Sequence, residues 1–256
     1  MTVHPDRFDR QVVLVTGGGS GIGRAVAVAF AAAGATVVVA GRDPGRLAET
    51  CKQIADAGGV ADAVPVDVTR RDQVARLVTE VVSRHGGLHI GVNNAGIIGT
   101  PAPVADLTEE TWDRVLATNL TGVWLTMKHE LAHMRASGGG VIVNIASSVG
   151  AHLTLPALGA YAATKAAVSA LTRTAAKEYI RDGIRINAVS PGPVDTPMSR
   201  LPGETDEDRD ARLAQVLPIG RPARTEEIAA AVLWLASPAA SFVVGHDLVI
   251  DGAGTP

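Results

Sequence analysis

The sequence predicts an α/β fold, a single doubly wound parallel sheet of about seven strands with helices on both faces. Three observations carry that expectation. Seven short β-branched runs, at 11–16, 36–40, 60–66, 88–93, 140–146, 184–190 and 247–250, alternate with segments of helical period. Runs such as VVVA are apolar on both faces, as strands covered by helices above and below must be. A glycine-rich turn follows the first run at once and opens a helix, the opening unit of a Rossmann-type sheet.

The helices between the strands carry their own punctuation. Asp43 can cap a helix that has Pro44 in its first turn, and Gly58-Gly59 can end it. Leu107 and Trp112 flank Thr108 at the spacing of a hydrophobic staple, which predicts a helix from about Glu109. Asp182-Gly183 closes a helix that carries Tyr161, with Lys177 and Arg181 placed favourably near its carbonyl end. Repeats, low-complexity tracts and linkers are absent, so residues 1–256 read as one dinucleotide-binding and catalytic domain. The long strandless region at about 191–224 reads as a substrate loop.

Composition excludes several function classes. Of 256 residues, 46% are hydrophobic and 19% charged, which is globular composition. Aromatics at 3% give little surface for stacking single-stranded nucleic acid, and a net charge of -3 lacks the basic footprint that nucleic acid or an anionic membrane needs. The lone Cys51 suits a reducing compartment, and no apolar run reaches membrane-spanning length. The expectation is a cytoplasmic protein with a small-molecule substrate.

The turn reads Thr16-Gly17-Gly18-Gly19-Ser20-Gly21-Ile22-Gly23, followed by RAVAVAFAAAG. Glycines let the backbone turn tightly and approach a pyrophosphate, whose charge then sits at a helix N-terminus. A glycine cluster alone is only a tight turn, but a strand before it and a helix and second strand after it make a dinucleotide site. A phosphate P-loop fits poorly, because Arg24 follows Gly23 and no GK[ST] occurs. The second strand ends Gly41-Arg42-Asp43, where an acid would hold a ribose 2′-OH and an arginine a 2′-phosphate. Arg42 therefore favours NADP(H) over NAD(H), unless Asp43 turns inward.

Tyr161 and Lys165 stand four apart and share a face if their segment is helical. Bringing a phenol from about 10 to near 7 needs about 4 kcal/mol, and a unit charge at ~4 Å in an effective dielectric near 20 supplies about that much. The plain alternative is a packed tyrosine beside a solvated lysine, so the surrounding motifs decide.

Those motifs are TGGGSGIG at 16–23, Asp67-Val68 after the third strand, Asn93-Asn94-Ala95-Gly96 after the fourth, Asn119 in a helix, the Ser147 region, YAATK at 161–165, and Pro191-Gly192 followed by Val194 and Thr196. In this order the chain resembles the short-chain dehydrogenase/reductase family over nearly its whole length. The resemblance implies a tetrad: Tyr161 as general acid/base, Lys165 holding the nicotinamide ribose and lowering the Tyr161 pKa, a serine on the reacting oxygen, and Asn119 holding a relay water. It also implies that Gly17, Ser20, Gly21, Ile22 and Gly23 hold pyrophosphate and Arg42 reads the ribose. Asp67 and Val68 go to the adenine, Asn94, Ala95 and Gly96 to the adenine-side ribose, and Pro191, Gly192, Val194 and Thr196 to the nicotinamide amide. A homotetramer is the usual assembly.

The serine depends on where counting begins. Thirteen residues back from Tyr161 is Ser148, whereas the strand register Asn144-Ile145-Ala146-Ser147 with Gly150 beyond selects Ser147. Loops absorb insertions more readily than strands absorb slips, which selects Ser147. Residues 129–133, HELAH, match a zinc motif letter for letter, but no glutamate follows before Glu178 and the extended form fails at Ala136 and Gly139, leaving His152 as the one remaining third ligand. The expectation is a partly exposed polar helix face and no metal. The charged run 204–212 is expected to be a solvated helix, with Met198, Leu201, Leu213, Val216 and Leu217 either lining a pocket or simply packing. The function so read is alcohol–ketone oxidoreduction. The competing readings are a 3-oxoacyl carrier-protein reductase, which would need a basic patch, and a dinucleotide sensor without turnover, which would need a broken tetrad.

Overall fold

The computed structural model describes residues 7–201 and 203–255. One sheet of seven parallel strands runs through it in the order β3-β2-β1-β4-β5-β6-β7. Its strands are β1 (Val12–Thr16), β2 (Thr36–Gly41), β3 (Val60–Pro65), β4 (Ile90–Asn93), β5 (Gly140–Ile145), β6 (Ile184–Pro191) and β7 (Asp247–Ile250). The helices are α1 (Gly21–Ala32), α2 (Pro44–Asp56), α3 (Arg71–His85), α4 (Glu109–Leu116), α5 (Gly122–Ser137), the short turn α6 (Ser148–Ala151), α7 (Gly159–Tyr179), α8 (Asp206–Val216) and α9 (Thr225–Ala236). All seven strands fall where the β-branched runs place them, with ends that move by no more than two residues.

Strand β1 pairs with β2 on one side and β4 on the other, Thr16 lying opposite both Ala40 and Asn93. The direction of winding reverses there, and a crevice opens beyond the carboxyl ends of the strands. Helices α1, α2 and α9 cover the face bearing Val13, Val15, Val37 and Val39. Helices α3, α5 and α7 cover the face bearing Val12, Leu14, Val38 and Ala40. Each fully buried valine or leucine in these layers contributes about 1.5–3 kcal/mol, so truncating Leu14 to Ala is expected to cost about 2–5 kcal/mol.

Local chemistry sets the helix starts. Asp43 accepts from the Gly45 and Arg46 amides at the start of α2, with Pro44 in the first turn. Thr108 accepts from the Thr111 amide at the start of α4. Beyond α7 a 3-10 turn, Ile180–Asp182, ends at Gly183, whose φ of 76° is open to glycine.

Two sequence expectations are corrected. In residues 129–133 the two histidines are partly exposed as expected, but Glu130 between them is fully buried, and Asn93 donates to it from Nδ2 at 2.9 Å. It fits because Gly91 stands opposite, where any Cβ would strike the carboxylate. His133 takes a structural role, accepting from the Leu88 amide at 3.2 Å. The charged run does form α8, with a capping box between Thr205 and Asp208, but it is not wholly solvated. Arg209 is only 2% exposed and pairs with Asp195 at 2.7 Å and Asp210 at 2.8 Å. Leu213 and Leu217 pack in the interior, whereas Met198, Leu201 and Val216 are exposed. None of the helices described is long and apolar enough to cross a membrane.

Candidate functional site

The glycine turn after β1 is held open by its neighbours. A Cβ on Gly18 would lie 2.8 Å from the Val39 side chain, and one on Gly17 would lie 2.7 Å from Asn94 Nδ2. Gly23 faces the Gly17 carbonyl too closely for any side chain. Arg24 donates to the Gly19 carbonyl at 2.7 Å and to Thr50 Oγ1 at 3.1 Å, and Thr50 passes its own proton to the Gly18 carbonyl. Ser20 starts α1 in extended conformation without a side-chain cap, so the first amides of a twelve-residue helix stay open to an anion. The turn thus fits a dinucleotide pyrophosphate.

Asn94 and Ala95 tie the end of β4 to this turn. Both amides donate to Thr16 Oγ1, at 3.0 and 3.2 Å, and Asn94 Nδ2 donates to the Thr16 carbonyl at 3.0 Å. Thr16, Arg24 and Thr50 hold the turn through bonds between distant segments, which the motif itself does not signal. Asp67 accepts from the Thr69 amide and hydroxyl at 2.9 and 2.8 Å, which fixes the turn after β3. Val68 packs beside Gly122. Arg42 is exposed at the end of β2, while the Asp43 carboxylate is committed to capping α2. Arg42, Asp67 and Arg76 line a cleft of about 530 Å³ at that end of the sheet. Across the crevice, Pro191 is buried, Gly192 lies against Asp251, and a Cβ on Gly21 would meet Thr196 Cγ2 at 3.2 Å. Val194 is also buried.

The carboxyl end of β5 gathers the polar side chains. Lys165 lies within α7, is 4% exposed and donates to the Ile145 carbonyl at 2.8 Å. Its Nζ is 5.7 Å from the Tyr161 ring centre. Ser147 accepts from the Val149 amide at 3.1 Å, which leaves its own proton to donate, and its hydroxyl acts on the Tyr161 phenol so as to favour ionisation. Ser148 is buried and takes the next position in the turn. Asn119 sits in a π-turn, Ala117–Thr121, between α4 and α5. It accepts from the Ile97 amide and donates to the Ile97 carbonyl, both at 2.8 Å. Gly96 brings this group together, for a Cβ there would stand 3.4 Å from Asn119 Oδ1 and 3.6 Å from Lys165 Nζ.

The electrostatics differ from the simple charge argument. Burial pushes the Tyr161 phenol up, against the smaller pull of Ser147, and burial holds Lys165 down to about 8. Loss of water therefore outweighs the lysine charge within the chain itself, because the ammonium is moored to Ile145 and both groups are desolvated.

A doubly wound sheet with an open glycine turn at its switch point, and a tyrosine, serine and lysine converging nearby, defines a dinucleotide-dependent oxidoreductase. Residues 17–254 match the family model described as enoyl-(acyl carrier protein) reductase. A cis-4-hydroxycyclohexanecarboxylate dehydrogenase of Sinomonas cyclohexanicum is 45% identical over 255 residues, covering 98% of each chain. A cyclohexanol dehydrogenase of Acinetobacter sp. (strain SE19) is 38% identical over 250 residues, 98% of this chain and 97% of that one. A short-chain type dehydrogenase/reductase from Mycobacterium marinum has a crystal structure matching with a TM-score of 0.93 at 37% identity, covering 100% of this chain and 99% of the other. The chain belongs to the short-chain dehydrogenase/reductase family. It is an NAD(P)-dependent oxidoreductase that interconverts a secondary alcohol and a ketone.

Proposed function

We propose that the protein is an NADP(H)-preferring dehydrogenase of ring-borne secondary alcohols, with Tyr161, Ser147, Lys165 and Asn119 as its working residues. The observation that carries the site assignment is that Lys165 Nζ lies 5.7 Å from the Tyr161 ring centre while bonded at 2.8 Å to the Ile145 carbonyl, two residues before Ser147. The ring preference follows the two relatives named for cyclohexane alcohols. Bound dinucleotide supplies or takes up the hydride. In ketone reduction Tyr161 donates its proton to the carbonyl oxygen while Ser147 donates a hydrogen bond to the same oxygen. Charge builds there in the transition state, so both donors act more strongly than in the ground state. Lys165 fixes the ribose side and balances the tyrosinate, and Asn119 orients the relay toward Lys165. Gly17, Ser20, Gly21, Ile22, Gly23, Asp67, Val68, Asn94, Ala95, Gly96, Pro191, Gly192, Val194 and Thr196 shape the cofactor crevice.

The cofactor preference rests on Asp43. Its Oδ1 is turned toward α2, accepting from the Gly45 and Arg46 amides, and among the described residues Arg42 has no carboxylate partner. The carrier-protein reading is less well supported, since Arg135 pairs with Asp182 and Lys128 lies over Trp124 instead of forming an open basic patch. A homotetramer fits the exposure of Trp112 and Trp124, 41% and 40%, on α4 and α5, and the lone thiol of Cys51 suits the cytoplasm. Absorbance at the nicotinamide band, followed with NADPH or NADH against cyclic and acyclic ketones, tests the reading. Cyclic ketones turned over faster with NADPH support it; turnover confined to acyl-carrier thioesters, or none at all, refutes it.

A further inference from the structure

The segment 148–158 joins Ser147 to the helix that carries Tyr161. Among the described residues, one side-chain hydrogen bond ties it to the sheet: His152 Nε2 lies 2.9 Å from Asp247 Oδ2. The Asp247 side chain on β7 is 5% exposed, and its other oxygen accepts from Ser190 Oγ at 2.5 Å. No lysine or arginine pairs with it among the described residues. A carboxylate buried this deeply depends on its donors, and the partnership fixes which imidazole nitrogen points at it. On its opposite side the turn is pressed against α7. Gly150 has a φ of 137°, and a Cβ there would lie 2.8 Å from the Ala162 carbonyl and 3.2 Å from Lys165 Cβ. Inside the turn the Gly150 amide donates to the Leu153 carbonyl at 2.7 Å, and the Leu153 amide to the Ser148 carbonyl at 2.8 Å. Residues 148–153 are therefore tied to one another, with His152 bonded to β7 and Ser147 directly before the turn.

We propose that His152 is a positioning residue for the redox reaction: its hydrogen bond to Asp247 holds the 148–153 turn so that the Ser147 hydroxyl stays at the Tyr161 phenol. The proposal rests on the roles given above to Ser147 and Tyr161. A misplacement on the scale of an ångström at a reacting group costs up to about a hundredfold in rate. His152→Leu is expected to lower kcat for ketone reduction by about tenfold to a hundredfold, with the NADPH Kd unchanged and the Tm lowered because the buried Asp247 loses a donor. His152→Gln, whose amide can still donate to Asp247, is expected to regain most of that loss. If His152→Leu does not fold, His152→Asn, too short to reach Asp247, carries the same expectation. Unchanged kcat would overturn the proposal, as would a kcat loss matched by an equal loss of NADPH binding, or one that Gln does not restore while the Tm recovers. Tyr161→Phe, assayed alongside, separates the two readings: if it abolishes turnover while His152→Leu does nothing, this inference fails and the proposed function stands.

Discussion

Lys165 donates from Nζ to the carbonyl oxygen of Ile145 over 2.8 Å, so its ammonium is moored to the last residue of β5 instead of reaching freely toward solvent. Burial holds its pKa down to about 8, which leaves it charged at neutral pH. Lys165→Met removes both the tether and the charge beside Tyr161. Turnover at pH 7 is expected to fall by about a hundredfold to ten-thousandfold. Lys165→Arg is not expected to rescue it, because the buried ammonium makes a single short bond to the Ile145 carbonyl, and a planar fork cannot reproduce it together with the charge at the same point. Steady-state ketone reduction by both variants checks this, and near-normal kcat in Lys165→Met would remove the lysine from the mechanism.

The two adjacent serines are expected to separate cleanly. The Ser147 hydroxyl acts on the Tyr161 phenol, whereas Ser148 contributes its carbonyl to the turn through Leu153. Losing one donor at a developing oxyanion costs about a hundredfold to a thousandfold in kcat, and that is the expectation for Ser147→Ala. Ser148→Ala leaves the backbone bond intact and is expected to stay within a few-fold of the parent. The opposite ranking in kcat would show that the extra residue lies in the strand and not in the loop.

The central strands were legible because both faces of the sheet are covered, so that β1 and β2 read as nearly unbroken β-branched runs. The Asp43 cap was legible for a different reason: its partners are two and three residues away. What the sequence hid depends on pairings between distant segments. Nothing near Glu130 signals that Gly91, thirty-nine residues earlier, leaves room for its carboxylate. Nothing in the run at 204–212 marks Arg209 as the one side chain that turns inward to Asp195. The spacing of Tyr161 and Lys165 was correct, but spacing carries no information on desolvation, and burial reversed the expected sign of the Tyr161 shift.

Arg42 is expected to govern the choice of cofactor. It is exposed at the end of β2, and a 2′-phosphate there would gain a charge-assisted contact that a 2′-hydroxyl cannot match. Arg42→Ala is expected to raise the KM for NADPH about tenfold, the equivalent of about 1.4 kcal/mol, and to leave the KM for NADH within twofold. Equal effects on the two cofactors would assign Arg42 to general structure, and no effect on either would return the adenine side to Asp67 alone.

Glu130 makes the stability of the fold depend on pH. Burial is the larger influence and raises its pKa to about 7, with the Asn93 hydrogen bond opposing, and Oε1 has no partner among the described residues. In the unfolded chain the group returns to 4.5, so the folded state binds the proton more tightly. The stabilisation tied to that proton is complete below 4.5 and is lost as pH rises through about 7. The difference is about 3 kcal/mol. His89 acts in the other direction: burial, reinforced by His133, lowers its pKa, and its Nδ1 accepts from the Val12 amide, so stability tied to neutral His89 is lost as pH falls below about 6.5. Glu130→Gln has no proton to release. Relative to the parent, its melting temperature is expected to decline less between pH 5 and pH 8, while the acid-side loss from His89 remains. Parallel curves for parent and variant across that range would mean that Glu130 is already ionised in the core, held by more than Asn93.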